Sequence, residues 1–252
     1  MSATLTKKQL TIPVATDKQL QAYMACPIAA KPRGAVIVGM ELFGLTPYIL
    51  NVTDRLADQG YLAIAPDFYH HLQPGVVLGY DQQGRSKGFE LLAQLNRENV
   101  VDDVRATMHF LREHQDCNGK IGFLGLSVGG HIGYLCASQL DIAASVIFYA
   151  GWLTNTDIPL SQPQPTLTLT PGIARQGGTL LYLIGDQDHL VNDTQRREVS
   201  HALQQANVHH EMVIYPGAQH GFFCDDRATF DQAASADAWH RTTELFAATL
   251  IK

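Results

Sequence analysis

The sequence is short of charge and carries no Lys- or Arg-rich run: Asp, Glu, Lys and Arg make up 17% of its 252 residues, with a formal net charge of -6. Nucleic acids and anionic membranes are held by clustered positive charge, so neither is an expected partner. No continuous apolar run approaches the ~20 residues of a membrane span, and the opening MSATLTKKQLTIPVA has no apolar core of signal-peptide length. A cytoplasmic location is the expectation. Cys26, Cys117, Cys136 and Cys224 are scattered without C-x-x-C spacing, which speaks against a zinc site or a disulfide framework. The sequence also lacks a G-x-x-x-x-G-K-[ST] phosphate loop, an H-E-x-x-H motif and a G-x-G-x-x-G turn after its first apolar strand, so no cofactor and no metal are implied.

Apolar residues are plentiful, at 46%, and a large core is expected. Open α/β folds reach about 200 to 250 residues as one unit, so residues 1–252 read as a single domain. From about residue 34, short β-rich runs alternate with amphipathic stretches, the pattern of a mostly parallel sheet with helices on both faces. GAVIVG (34–39), YLAIAPDF (61–68), KIGFLGLS (120–127), ASVIFYAG (144–151) and GTLLYLIGD (178–186) read as buried strands, and HHEMVIYP as a later one. Thr46 followed by Pro47 marks a helix start, with Ile49, Val52 and Leu56 on one face and Gly60 as its stop. Further helices are expected from Asn96, after Ser127, over 193–206 and around Trp239 and Phe246. Residues 70–87 read as a polar loop, and LSQPQPTLTLTPG (160–172) as a surface loop without helical period.

Gly125-Leu126-Ser127-Val128-Gly129 matches G-x-S-x-G between a buried strand and a helix, the context of a nucleophile elbow. The flanking glycines are expected to let the chain turn sharply. A serine hydroxyl is a weak nucleophile at neutral pH and needs a histidine base oriented by a carboxylate. GDQDHLV offers Asp186 and Asp188 just past a strand, and YPGAQHGFF offers His220 after the last one. Position alone leaves Asp186 and Asp188 nearly even. His70, His71, His209 and His210 lie elsewhere and read as solvated or half-buried.

The segments GMELFGL, IAPDFY, GFLGLSVGG, GDQDHLV and GAQHGFF, in that order, resemble the dienelactone hydrolase family of α/β-hydrolases from about residue 20 onward. The resemblance implies an α/β-hydrolase fold, Ser127 as nucleophile, Asp188 as the acid, His220 as the base and Glu41 as an active-site residue. It implies an oxyanion hole made by the backbone amides of Leu42 and Val128, in accord with where the second donor of such folds lies. Well-known members carry cysteine in the elbow, and this chain departs from them with serine. The family's acidic substrates are held by arginines, for which Arg85 and Arg227 are candidates by region. Tyr149 and Trp152, just past a strand end, are expected either to line the pocket or to pack in the core. The expected activity is hydrolysis of a small ester or lactone through an acyl-serine. A general carboxylesterase or serine peptidase on the same fold, or a catalytically silent ligand-binding protein, are the rival readings.

Overall fold

The computed structural model describes residues 4–14, 19–28 and 33–251. Its strands are β1 (Leu5–Pro13), β2 (Gln19–Pro27), β3 (Arg33–Gly39), β4 (Leu62–Pro66), β5 (Cys117–Leu126), β6 (Ala144–Phe148), β7 (Thr179–Gly185) and β8 (His209–Tyr215). They form one sheet in the order β1-β2-β4-β3-β5-β6-β7-β8. From β4 to β8 the pairings are parallel, whereas β1 with β2 and β2 with β4 are antiparallel.

Among the described residues, seven α-helices connect and cover the sheet: α1 (Pro47–Asp58), α2 (Gln82–Leu92), α3 (Arg97–Arg112), α4 (Val128–Ala137), α5 (Thr170–Gln176), α6 (Asp193–Gln205) and α7 (Gln232–Leu250). Successive residues of β5 show that both sheet faces are covered. A Cβ on Gly122 would touch Phe246 and Leu250 of α7, while the ring of the next residue, Phe123, lies against Gly133 of α4. This is the period-2 alternation of a strand packed on both sides, and it explains why β3 to β7 read as nearly unbroken apolar runs. The cap expected for α1 is present, with Thr46 Oγ1 accepting from Ile49 N, and α3 is capped in the same way by Asn96, whose Oδ1 accepts from Asn99 N.

Three expectations need correction. Residues 70–87 are not all loop, because α2 begins at Gln82 and carries Arg85. Glycines at 84 and 88 disguise this helix. A Cβ on Gly84 would meet Gly79 O at 2.0 Å, and one on Gly88 would meet Leu42 Cγ at 2.6 Å, so the helix needs them for close packing. The segment 160–172 is not a loose surface loop: it holds two short 3₁₀ turns and the start of α5, with Leu160, Ser161, Thr166 and Thr170 buried. Arg97 pins it by donating to Leu160 O at 2.7 Å and Gln164 O at 3.0 Å. Finally, His70 is buried rather than solvated, facing the buried carboxylate of Asp103.

The hairpin of β1 and β2 precedes the region where strands were expected. Most of β1 is exposed, so it offers none of the alternation that marks a half-buried strand. No helix of the described residues is long and apolar enough to cross a membrane.

Candidate active site

Ser127 stands between β5 and α4 with φ 55° and ψ -112°, a backbone conformation costly for a residue with a side chain. The strain falls on the serine itself, not on its glycines, whose task is different from the one expected. A Cβ on Gly125 would lie 2.1 Å from Gly129 O, and one on Gly129 would lie 2.2 Å from Gly39 O. The two glycines therefore let the start of α4 press against the ends of β5 and β3. The amide of Ser127 donates to Phe148 O at 3.1 Å and that of Gly129 to Met40 O at 2.9 Å, fixing the elbow to its neighbours.

The turns after β7 and β8 bring two more side chains to this point. Ser127 Oγ lies 2.9 Å from His220 Nε2, and His220 Nδ1 lies 2.9 Å from Asp188 Oδ2. A carboxylate only accepts, so Nδ1 carries the proton and Nε2 is left to accept from the serine hydroxyl. The other Asp188 oxygen accepts from Leu190 N at 2.8 Å. All three residues are buried. Asp186, the positional alternative, caps a turn instead, with Oδ1 accepting from Gly217 N at 2.7 Å.

Leu42 and Val128 border the same cavity as Ser127. Among the described residues, neither amide donates to a backbone carbonyl, so both are available to a ligand oxygen. The carbonyl of Leu42 is held by the buried hydroxyl of Tyr69, which donates to it at 2.9 Å. Sequence reasoning missed this tie, since nothing about Tyr69 in IAPDFY marks its target.

Glu41 is buried behind the cavity and does not line it. Its Oε1 accepts from Arg227 Nη1 at 3.2 Å and from the Tyr149 hydroxyl at 3.4 Å, while Oε2 has no partner. Burial pushes the carboxyl above its ordinary value, against the opposing pull of Arg227, His220 and Tyr149. Tyr149 is a core residue, fully buried, with its ring edge-on to His220 at 5.0 Å. Of the two placements expected for it, Tyr149 takes the core one: it packs behind the imidazole and hydrogen-bonds Glu41.

The cavity itself, of about 240 Å³, is lined by Leu42, Phe43, Arg85, Phe89, Ser127, Val128, Trp152, His189, Leu190, His220 and Arg227. Trp152 thus faces the pocket, edge-on to Phe89 at 6.3 Å. Arg85 and Arg227 both reach it. Sequence reasoning missed Phe89, which lies in the unrecognised helix, and His189, whose position directly after Asp188 was the available signal. Burial, then His220, lower the pKa of His189, and Arg85 and Arg227 add to this while Asp188 opposes it. No residue of 160–172 lines the cavity.

A strained serine between a parallel strand and a helix, with a histidine and a carboxylate supplied from the ends of later strands, marks an α/β-hydrolase. Within that class the chain belongs to the dienelactone hydrolase family, whose model matches residues 20–250, and it is a hydrolase. A Synechocystis protein named putative carboxymethylenebutenolidase is 34% identical over 233 residues, covering 90% of this chain and 91% of its own. The carboxymethylenebutenolidase of Pseudomonas putida is 26% identical over 220 residues, 87% of each chain. The crystal structure of a putative dienelactone hydrolase from Klebsiella pneumoniae superposes with a TM-score of 0.85 at 27% identity, covering 97% of this chain and 99% of the other.

Proposed function

We propose that the protein hydrolyses a small carboxylic ester or lactone bearing an anionic group, through an acyl-serine intermediate. The observation that carries this reading is the unbroken hydrogen-bond chain from Ser127 Oγ through His220 to Asp188, both links at 2.9 Å, at the wall of a small cavity. As Ser127 attacks the carbonyl carbon, His220 Nε2 takes the hydroxyl proton, and Asp188 stabilises the resulting imidazolium. The oxygen that gains charge faces the amides of Leu42 and Val128. One such preorganised donor is typically worth about 2.7–4 kcal/mol of activation free energy. Collapse of the intermediate expels the alkoxide, which receives the proton from His220. Water then repeats the sequence on the acyl-enzyme, and a lactone leaves as a hydroxy acid.

Arg85 and Arg227, in a cavity otherwise dominated by Leu42, Phe43, Phe89, Trp152 and Leu190, favour a substrate with one apolar body and one carboxylate. The names of the relatives, carboxymethylenebutenolidase, agree with that class. Four cysteines without a disulfide accord with a reducing, cytoplasmic setting, and the reading requires one domain and no cofactor. A fluorophosphonate probe tests the nucleophile. Folded wild-type protein labels at Ser127 and Ser127→Ala does not; no labelling, or labelling that survives the substitution, overturns the acyl-serine. A rate panel of dienelactone, neutral short-chain esters and peptidyl amides tests the substrate. Fastest turnover of amides would make it a peptidase, and no preference for the anionic lactone a general carboxylesterase.

A further inference from the structure

We infer that His70, His71 and Asp103 form a divalent-cation site of the zinc class, separate from the Ser127 cavity, none of whose lining residues they supply. The two histidines are adjacent in sequence, in the turn that follows β4, and Asp103 is on the first half of α3. In an extended segment, neighbouring side chains point to opposite sides. Here the turn brings both rings to the same side, with centroids 3.8 Å apart. His70 Nε2 lies 3.1 Å from Asp103 Oδ2, and His71 Nε2 lies 3.1 Å from Asp103 Oδ1.

Those separations suit a metal as well as a proton. Zinc binds imidazole nitrogen and carboxylate oxygen at about 2.0–2.2 Å, which sets neighbouring donors of a tetrahedron roughly 3.3–3.6 Å apart. All the donor atoms lie within 4.8 Å of one another. For each histidine–aspartate pair, now 3.1 Å apart, a cation would need the two donors to separate by only a few tenths of an ångström. Two neutral imidazoles and one carboxylate carry one negative charge in total. That set suits a borderline ion such as Zn²⁺, and not Mg²⁺ or Ca²⁺, which prefer oxygen.

Electrostatics favour a cation here. Asp67 is a second buried carboxylate, near enough to Asp103 for the two to repel and to His70 for an attraction. Asp67 is itself fixed by the amides of Tyr69 and Gly75, leaving the Asp103 group as the one that presents imidazoles. Access exists on one side: the His71 side chain is 11% exposed while those of His70 and Asp103 are 1% exposed. Metal here would clamp the turn after β4 to α3, and that turn carries Tyr69, whose hydroxyl holds the Leu42 carbonyl.

The test is calorimetric titration of chelator-stripped full-length protein with Zn²⁺, and with Co²⁺ followed by visible absorption. Expected are about one Zn²⁺ per chain, a raised Tm, a tetrahedral Co²⁺ spectrum, and no response to Mg²⁺. Ser127→Ala should bind equally, and His71→Ala at least tenfold more weakly. Absence of saturable binding in the wild type overturns the proposal. So does equal binding by His71→Ala, which would place the ion on other histidines. If His71→Ala does not fold, His71→Gln serves. The Co²⁺ spectrum of the wild type decides independently, since an octahedral spectrum would also overturn the site.

Discussion

Arg227 Nη1 stands 3.2 Å from Glu41 Oε1, the glutamate wholly buried and the arginine facing the Ser127 cavity. The arginine is thus positioned by a carboxylate that never meets solvent. A Cβ on Gly221 would fall 2.1 Å from Arg227 Nη1, so the guanidinium also packs over the backbone next to His220. Glu41 thereby holds Arg227 at the cavity wall. Beside the Ser127 hydroxyl, the charged contact of Glu41 is with this cation.

Removing the arginine therefore has two separable effects. Arg227→Met should raise KM for a carboxylate-bearing ester by about 10- to 100-fold, the range of a charge-assisted hydrogen bond, with a smaller change for a neutral ester. It also leaves Glu41 buried without its counter-ion, at about 3–5 kcal/mol if the carboxyl stays charged. The Glu41 pKa, already raised by burial, then rises further. A carboxyl whose folded pKa exceeds its unfolded one loses stability as pH rises past the unfolded value. Urea unfolding of Arg227→Met should show stability falling with pH relative to wild type, and Arg227→Met/Glu41→Gln should remove that fall. Parallel curves for single and double variants would refute it.

Tyr69→Phe is the second prediction. The substitution deletes the donor to Leu42 O and keeps the ring, which is buried. The stability loss should be about 1 kcal/mol. Because Leu42 carries a proposed oxyanion donor, kcat should fall about tenfold with KM nearly unchanged. A stability loss with kcat intact would make Tyr69 structural only.

Much of the site was readable because its parts are local. The elbow sits in five contiguous residues, Gly125 to Gly129, and the acid and base follow strands whose buried faces leave continuous apolar runs. What was not readable depends on partners distant in sequence. Glu41 and Arg227 are 186 positions apart, and no periodicity joins them. The helix α2 was hidden by Gly84 and Gly88, which weaken a helical signal yet are required by contacts with Gly79 and Leu42. Without a visible helix, nothing in the sequence brings Phe89 or Arg85 to the cavity, which α2 does. His70 was misjudged for the same reason: its partner Asp103 lies 33 residues away.

Gly129→Ala tests the close approach of the elbow to the chain at Gly39 and Met40, which leads to Leu42. The new methyl would fall 2.2 Å from Gly39 O and 2.7 Å from Met40 O, both backbone atoms that have little room to yield. The start of α4 must then move off β3, separating the Val128 and Leu42 amides. The expected result is a loss of about 1–3 kcal/mol in stability and a drop in kcat of about 100-fold or more. Differential scanning calorimetry and steady-state kinetics on the same sample check both, and wild-type kcat would contradict the packing argument.

His131 gives the clearest pH dependence outside the cavity. It is wholly buried in α4, four residues past Ser127, with Nδ1 2.9 Å from Gly151 O and Nε2 2.9 Å from Thr166 Oγ1. A carbonyl only accepts, so Nδ1 holds the proton and Nε2 accepts from the threonine hydroxyl, a neutral tautomer that satisfies both nitrogens. Protonating Nε2 would reverse that second bond, with the threonine hydroxyl turning to Leu160 O at 3.3 Å, and would bury a charge near Arg97. Burial accordingly depresses its pKa from 6.5 to about 4. The unfolded chain takes up a proton near pH 6.5 and the folded protein only near pH 4, so the full stability is present above 6.5. About 3 kcal/mol of it is lost as pH falls through that window. His131→Gln, unable to titrate, should start less stable at pH 7 and lose less between pH 6.5 and 4. Urea unfolding across that range measures the difference in slope, and equal slopes would show that His131 is protonated in the folded protein. The imidazole joins α4 to Gly151, next to Trp152 of the cavity, and to the 3₁₀ turn at Thr166. The same titration should therefore loosen the 160–172 segment in mild acid, seen as faster amide hydrogen exchange there in the wild type than in His131→Gln.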